Sequence, residues 1–558
     1  MKARHLAVAL LGLGFLLSAA TPKEVKTVAG MPAQQALALG ERMYRQGLLP
    51  SGEPMASVVS GDIPVPGTSF SCGSCHLRAG LGSWEGGVVT LATNGARLAQ
   101  PRYWKFPNLT PAEREELKLQ NPPARPAYTD EALAHVLRTG MDPAGRTLHP
   151  IMPCYDLNDR DMAILIHYLR NLSARLSPGV DGETLRFATV ITEGVSRQDQ
   201  EAMLVPLNNY VARHNQFSKG FGNRMYLAVG GNEMTGSYRK LALSVWRLSG
   251  APETWERQLE AHLKKEPVFA LLGGLSNGAW APIHRFCEKE KLPCLFPITD
   301  LPVVSDTDWY TLYFSKGYYQ EGQAAARFVN GMEDLPSTPQ VLQILQEGPE
   351  ARELAAGFRE TWQELGRPAA ALQERVLTSA ELADAEGLRR RLAQEKVGIV
   401  LLWVDARSFP ALASFGEDRR MFLSSRLLGP QTTAVPEAVR AFTWITYPYR
   451  DPLEEPAYSK YADTLLAGMK ERYPERRIST RVYSLIQVLR QGLMDMDRHF
   501  YRDNLLDRIG MQRDQALPDY LRLSFGPGQR YASKGCFIMQ LSPGANPRLL
   551  RRSEWVIH

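Results

Sequence analysis

Residues 268–301 read VFALLGGLSNGAWAPIHRFCEKEKLPCLFPITDL. Val268 to Leu272 is wholly apolar, as a strand buried on both faces must be. Gly273, Gly274, Ser276, Asn277 and Gly278 make a turn, and 279–290 carries apolar residues at helical spacing. Pro293 to Pro297 is a second apolar strand. Strand, turn, helix and strand in this order are the unit of a parallel sheet covered by helices on both faces. The alternation continues in both directions. Upstream, Leu185 to Thr192 is a β-type run and 198–214 is helical. Arg224 to Val229 reads as a strand, and 237–248 and 252–265 as helices. Downstream, Gln340 to Leu345, Glu374 to Thr378 and Gly398 to Val404 read as strands, alternating with helices at 349–366 and 380–394. Two consecutive α/β lobes of similar size predict a hinged pair with a cleft between them.

The 558 residues are 44% hydrophobic and 22% charged, ordinary globular values in a chain too long for one core, so two or three domains are expected. The net charge of +6 is spread along the chain and not gathered into a basic stripe. Nucleic acid and anionic membranes therefore have no special claim as partners. Lys2 and Arg4, an apolar run from Leu6 to Leu17, and Ser18-Ala19-Ala20 predict a signal peptide over 1–20. That run is too short to span a bilayer and no later segment reaches the length, so the mature chain is expected to be periplasmic without a membrane span. There is no metal triad or nucleophile constellation, and Gly230-Gly231 and Gly273-Gly274 lack G-x-G-x-x-G spacing. The chain does not read as an enzyme.

Residues 70–76, FSCGSCH, contain C-x-x-C-H, the attachment signal for one covalent haem c. Two thiols, here Cys72 and Cys75, add to the haem vinyl groups as thioethers, and the adjacent His76 offers its imidazole to iron. A redox dithiol would call for a βαβ context, and zinc for a second ligand pair. Downstream, Thr129 or Asp130 can cap a helix that ends at Gly140. A loop rich in Pro and Gly follows, then a helix with Met162, Leu165, Ile166 and Leu169 at i, i+3, i+4, i+7. Met152-Pro153 lies on the loop before that helix.

These residues resemble class I cytochromes c over roughly 35–178, and the TGMDPAGR run at 139–146 with the later Met-Pro is similar to monohaem subunits that accompany periplasmic dehydrogenases and oxidases. The resemblance implies an all-α cytochrome domain with Met152 as the second axial ligand, His149 and Met141 in the same loop being the rivals. It also implies a redox partner protein, a dehydrogenase or another cytochrome. A segment around Trp104 to Pro126 is extra to the family pattern, and Cys154 falls where a basic or bulky residue is usual.

Ser173 to Gly182 (SARLSPGVDG) reads as a linker. Beyond it, residues 183–558 resemble the type I periplasmic binding proteins, in particular the branched-chain amino-acid receptor group, on the 268–301 stretch and on the late LRLSFGPGQRYASKGCFIMQLSPG, which is similar to that group's closing hairpin. The resemblance implies a ligand cleft with Ser276, Asn277 and Thr299 on the first lobe and Asp405 facing the ligand's amine from the second. The aromatic residue that often cups the ligand is missing from 345–349. Cys287 and Cys294 flank one turn, and an exported context makes a disulfide between them the expectation; Cys154 and Cys536 are left over.

Together these readings predict an exported monohaem cytochrome for single-electron transfer whose second, two-lobed domain docks partners or binds a small molecule. The alternative is a solute-binding receptor of a transport system, for an amino acid or small carboxylate, with an accessory haem.

Overall fold

The computed structural model describes residues 27–85, 88–102, 110–116, 124–228, 239–333, 339–395, 397–412, 419–465, 475–526 and 528–557. The expected signal peptide at 1–20 lies outside the described residues. The chain divides into two compact units, Met1–Ala174 and Arg175–His558. Ser173 Oγ donates to the Ala79 carbonyl within the first unit. From Ser177 the chain is tied to the second, its hydroxyl accepting from the Arg502 N–H at 3.0 Å.

The first unit is built on the helices Ala33–Gln46, Asp130–Thr139 and Asp159–Asn171. Thr129 caps the second through the Ala132 N–H, and Asn158 caps the third through the Asp161 N–H, each satisfying an orphan donor of the first turn. Met162, Leu165 and Leu169 face a core shared with Met43, Tyr44, Leu133 and Val136. The unit is not all-α. Ala56–Val59 pairs antiparallel with both Ile63–Pro66 and Cys154–Tyr155. The β-branched residues Val58, Val59, Ile63 and Val65 flank a turn in which Ser60 and Gly61 take positive φ, a local hairpin signal that the helix pattern on either side conceals.

The second unit holds two sheets. The first is parallel throughout, in the order Thr311–Leu312, Cys294–Leu295, Ala270–Leu272, Thr184–Thr192, Lys240–Leu248. The second runs Leu372–Leu377, Val341–Gln346, Ile399–Trp403, Arg420–Ser424 and Thr443–Tyr447 in parallel. Gly535–Leu541 and Leu549–Arg551 then add antiparallel. The chain thus leaves the first lobe before helix Gly317–Asn330 and returns for helix Glu475–Asp495, which packs on helix Arg197–Ala228. It re-enters the second lobe at Gly535.

In the second unit two segments differ from the sequence expectation. Of the expected strand Arg224 to Val229, the described residues 224–228 are not a strand but the last part of helix Arg197–Ala228. Residues 240–248 are not a helix but an edge strand, with Trp246 and Leu248 buried and Val245 and Arg247 exposed. Its apolar residues fit either period, and register against Thr184–Thr192 decides between them.

Candidate functional site

In the second unit a cleft of about 390 Å³ opens at the carboxyl ends of the parallel strands, where an open α/β sheet leaves free backbone groups and room for a ligand. Gly194 and Ser196 follow strand Thr184–Thr192, Leu275 to Asn277 follow Ala270–Leu272, and Ile298 to Asp300 follow Cys294–Leu295. The second lobe sends Arg426 from beyond Arg420–Ser424 and Tyr449 from beyond Thr443–Tyr447. Helix Glu475–Asp495, packed on the first lobe, adds Arg477 and Arg481.

Close approach explains the turn chemistry. Gly274 has φ +114°, and a Cβ there would lie 2.4 Å from the Trp280 ring, so only glycine lets the strand turn over the buried indole. Beyond it the Asn277 N–H donates to Thr192 Oγ1 at 2.8 Å, which pins the turn to the neighbouring strand. Phe296 also has positive φ, +55°, held by its stacking on Phe314 at 4.5 Å; strain of this kind persists only where the surroundings over-determine it.

The cleft is cationic in its depths. Arg426 and Arg481 are buried. Arg481 Nη2 donates to Asp300 Oδ1 at 2.8 Å, and Arg426 Nη1 lies 3.5 Å from the same oxygen. The Tyr449 hydroxyl accepts from Arg426 Nε and Arg481 Nη2, each at 3.3 Å. Arg477 is already matched, by Asp519 at 2.6 Å and Glu455 at 3.3 Å. Behind Arg426, the fully buried Glu321 accepts from Ser424 Oγ at 2.8 Å and Thr446 Oγ1 at 2.6 Å, with its other oxygen 3.6 Å from Arg426 Nε. Burial pushes Glu321 up to about 7 against the opposing pull of Arg426. Burial acts upward on Asp300 too, but Arg426 and Arg481 outweigh it and hold that carboxyl below its ordinary range.

Ser276, Asn277 and Thr299 line this cleft. The Ser276 hydroxyl is buried without a hydrogen-bond partner, whereas Thr299 Oγ1 accepts from the Leu301 N–H at 3.0 Å. Asp405 is not among the lining residues. It caps the short turn that follows strand Ile399–Trp403, and both its oxygens are taken by Arg407 at 2.7 to 3.0 Å. An arginine two residues on consumes the carboxylate that the resemblance assigns to the ligand. Sequence reasoning missed Arg426, Arg481, Tyr449 and Asp300; the one local signal was the i, i+4 spacing of Arg477 and Arg481 on a helix.

The pattern that defines the family described as periplasmic binding protein matches residues 248–533, slightly more than half of the chain. The chain belongs to the periplasmic binding protein family. Such proteins are typically exported, and no helix among the described residues is long and apolar enough to cross a membrane. Among curated proteins none is similar to this periplasmic binding protein. Solved structures resemble it at low identity. A putative branched-chain amino acid ABC transporter from Rhodospirillum rubrum is 14% identical with a TM-score of 0.48, over 66% of this chain and 100% of that one. A branched-chain amino acid ABC transporter from Thermus thermophilus with bound valine is 13% identical with a TM-score of 0.47, over 67% and 97%. A solute-binding protein from R. palustris in complex with benzoate is 12% identical with a TM-score of 0.46, over 67% and 98%.

Family membership corrects the main functional expectation. The part of the chain that carries a recognisable family is a solute-binding one, so the reading as a cytochrome for single-electron transfer, with the two-lobed domain as an appendage, does not hold. The cysteines are also corrected. Cys287 and Cys294 are two buried thiols and not a disulfide. Burial in the cluster with Leu271, Trp280 and Phe286, followed by the hydrogen bond to Cys294, pushes the Cys287 thiol well up, which keeps it in the protonated, unreactive form.

In the first unit, Cys72, Cys75 and His76 share one short helix, Cys72–His76. Cys72 and His76 are buried. His76 Nδ1 donates to the Leu91 carbonyl at 2.6 Å, since a carbonyl can only accept, and this leaves Nε2 with its lone pair free. The Tyr155 hydroxyl lies 3.9 Å from Cys72 Sγ and donates to the Phe70 carbonyl at 2.9 Å. Of the three candidates for a second axial position, Met141 is exposed and His149 Nδ1 accepts from the Ile151 N–H at 3.3 Å. Met152 is half-buried and packs against the core that contains Cys72. The donor set therefore fits a covalent haem.

Proposed function

We propose that this periplasmic binding protein is an exported solute-binding receptor whose cleft takes a small carboxylate or amino acid, and that its first unit carries one accessory haem c. The observation that carries the reading is the cleft itself. In a member of a solute-binding family, about 390 Å³ of space at the strand ends is walled by buried donors that lack acceptors: the Ser276 hydroxyl, Arg426 Nη1 and Nη2, and Arg481 Nε. An unfilled buried donor costs about 1–3 kcal/mol, and an anionic oxygen supplied by a ligand removes that cost. Closure of two hinged lobes around the ligand would give a transporter a distinct liganded form to recognise.

Cys72 and Cys75 would hold the haem by thioethers, with His76 and Met152 at the iron. A haem so ligated supplies a one-electron couple without an open coordination position. The chain's own contribution is positional: Leu91 fixes the His76 ring, and Tyr155 braces the Cys72 turn.

A thermal-shift and calorimetric screen of organic acids and amino acids against the full chain tests the receptor reading. Stabilisation by at least one small carboxylate is expected, and failure of every compound to bind would overturn it. Haem that can be extracted from denatured protein by acidified solvent would overturn the covalent attachment, and retention of the c-type spectrum after Met152→Ala with loss of the second axial ligand is expected.

A further inference from the structure

The resemblance stated above places the ligand's carboxylate on the first-lobe turn and its amine against the second lobe. In this cleft the second lobe offers a cation, Arg426, where the resemblance expects an acid. On the first-lobe turn the Asn277 N–H is already given to Thr192, and Thr299 Oγ1 already accepts from Leu301; the Ser276 hydroxyl is the one unpartnered buried donor there. From the second lobe Arg426 brings two terminal nitrogens that make no hydrogen bond, and Arg481, on the helix packed against the first lobe, adds its Nε. Both guanidiniums are buried, their side chains 3% and 6% exposed. They share one carboxylate oxygen of Asp300 and one hydroxyl of Tyr449, and Arg426 Nη1 and Nη2 and Arg481 Nε are left without a hydrogen-bond acceptor in the protein.

We infer that the ligand is a monocarboxylate whose carboxylate is anchored by the guanidinium pair of Arg426 and Arg481, and that these two residues, rather than the Ser276–Thr299 wall, set its specificity for an anion. A planar carboxylate matches the fork of an arginine and accepts two hydrogen bonds from it, a geometry in which a neutral amide loses one acceptor and adds a donor. Asp199, on the first turn of helix Arg197–Ala228, also lines the cleft. A second carboxylate held beside Asp199 would meet its negative charge, so the class is a monocarboxylate and not a dicarboxylate; a hydroxyl or amine there is compatible. This inference rests on the receptor reading and sharpens it.

The test is titration calorimetry of the full chain with pentanoate, leucine and succinate, and with pentanamide, leucinamide and succinamide. At least one of the two monocarboxylates is expected to bind, with its amide weaker by about 30-fold or more, the loss of a charge-assisted pair. Arg426→Lys and Arg481→Lys keep the charge but not the fork, and each is expected to weaken the acid about 10-fold or more without changing the amide. Asp199→Asn is expected to narrow the gap between succinate and the monocarboxylates. Equal binding of acid and amide by the wild-type chain overturns the anchor, and this arm does not depend on a variant folding. Acid binding that survives both lysine variants but is lost in Ser276→Ala with Thr299→Ala also overturns it, while leaving the receptor reading intact. Binding of none of the six overturns the receptor reading itself.

Discussion

Glu321→Gln is the most discriminating single change in the second unit. Glu321 is fully buried on helix Gly317–Asn330 and is faced by Ser424, Thr446, Arg426, Asp300, Tyr318 and Cys536. Burial, the largest influence, lifts it from 4.5 to about 7. The folded state therefore holds the proton more tightly than the unfolded chain does. The stability this contributes is fully present below pH 4.5 and is lost as the pH rises through about 7. At about 1.4 kcal/mol for each pH unit between those values, the loss totals about 3 kcal/mol. Glutamine keeps the shape and an oxygen for the Ser424 and Thr446 hydroxyls but cannot ionise. Urea unfolding of both proteins by tryptophan fluorescence, from pH 4.5 to pH 8, isolates the effect, because every other titrating group is common to the two. The stability of the wild type relative to the variant is expected to fall by about 3 kcal/mol across that range. A difference that stays constant, or that rises with pH, would refute the reasoning and show that pairing with Arg426 overrides desolvation, leaving the carboxylate ionised throughout.

Gly274→Ala puts a methyl group 2.4 Å from the Trp280 ring at φ +114°; a loss of about 2–4 kcal/mol in thermal or urea unfolding is expected, together with loss of ligand binding. Arg502 donates to the carbonyls of Val268, Phe269, Glu290 and Lys291 at 2.7 to 3.2 Å, clamping the returning chain onto the first-lobe strands. Arg502→Met leaves those carbonyls short of a donor and is expected to cost about 2–4 kcal/mol in the same assay. Cys287 and Cys294 are expected to react with an alkylating reagent in protein denatured without reductant, and mass-spectrometric recovery of a 287–294 disulfide peptide would contradict the paired thiols.

Much of the architecture is written locally. Apolar runs such as Val268 to Leu272 and Gly398 to Val404 admit few readings other than buried strands, and the Gly-rich turn at 273–278 fixes where a strand must end and a wall of the cleft begin. Ser276, Asn277 and Thr299 lie at strand ends, where the resemblance to the binding proteins implies the ligand cleft, and they line the cleft that the fold forms. C-x-x-C-H is legible because its chemistry needs both thiols and the imidazole on one helical turn. Where short-range signals are weak or conflict, the reading fails: 240–248 fits both periods until its neighbour in the sheet is known, and the hairpin at 56–66 is too short to stand out among helices.

The chemistry of the cleft was not legible. Asp405 is at the end of a second-lobe strand, as expected, but Arg407 takes its charge, and Arg426, from the adjacent strand, reaches the cleft in its place. Arg426 and Arg481 meet Asp300 across 126 and 181 positions of sequence, on elements brought together because the chain crosses between the lobes and returns. In the sequence each is one more arginine that solvent would satisfy. Which charge is buried, which acceptor it shares and which of its nitrogens are left for a ligand depend on desolvation and on distances of a few ångströms, and those exist only once the lobes have packed.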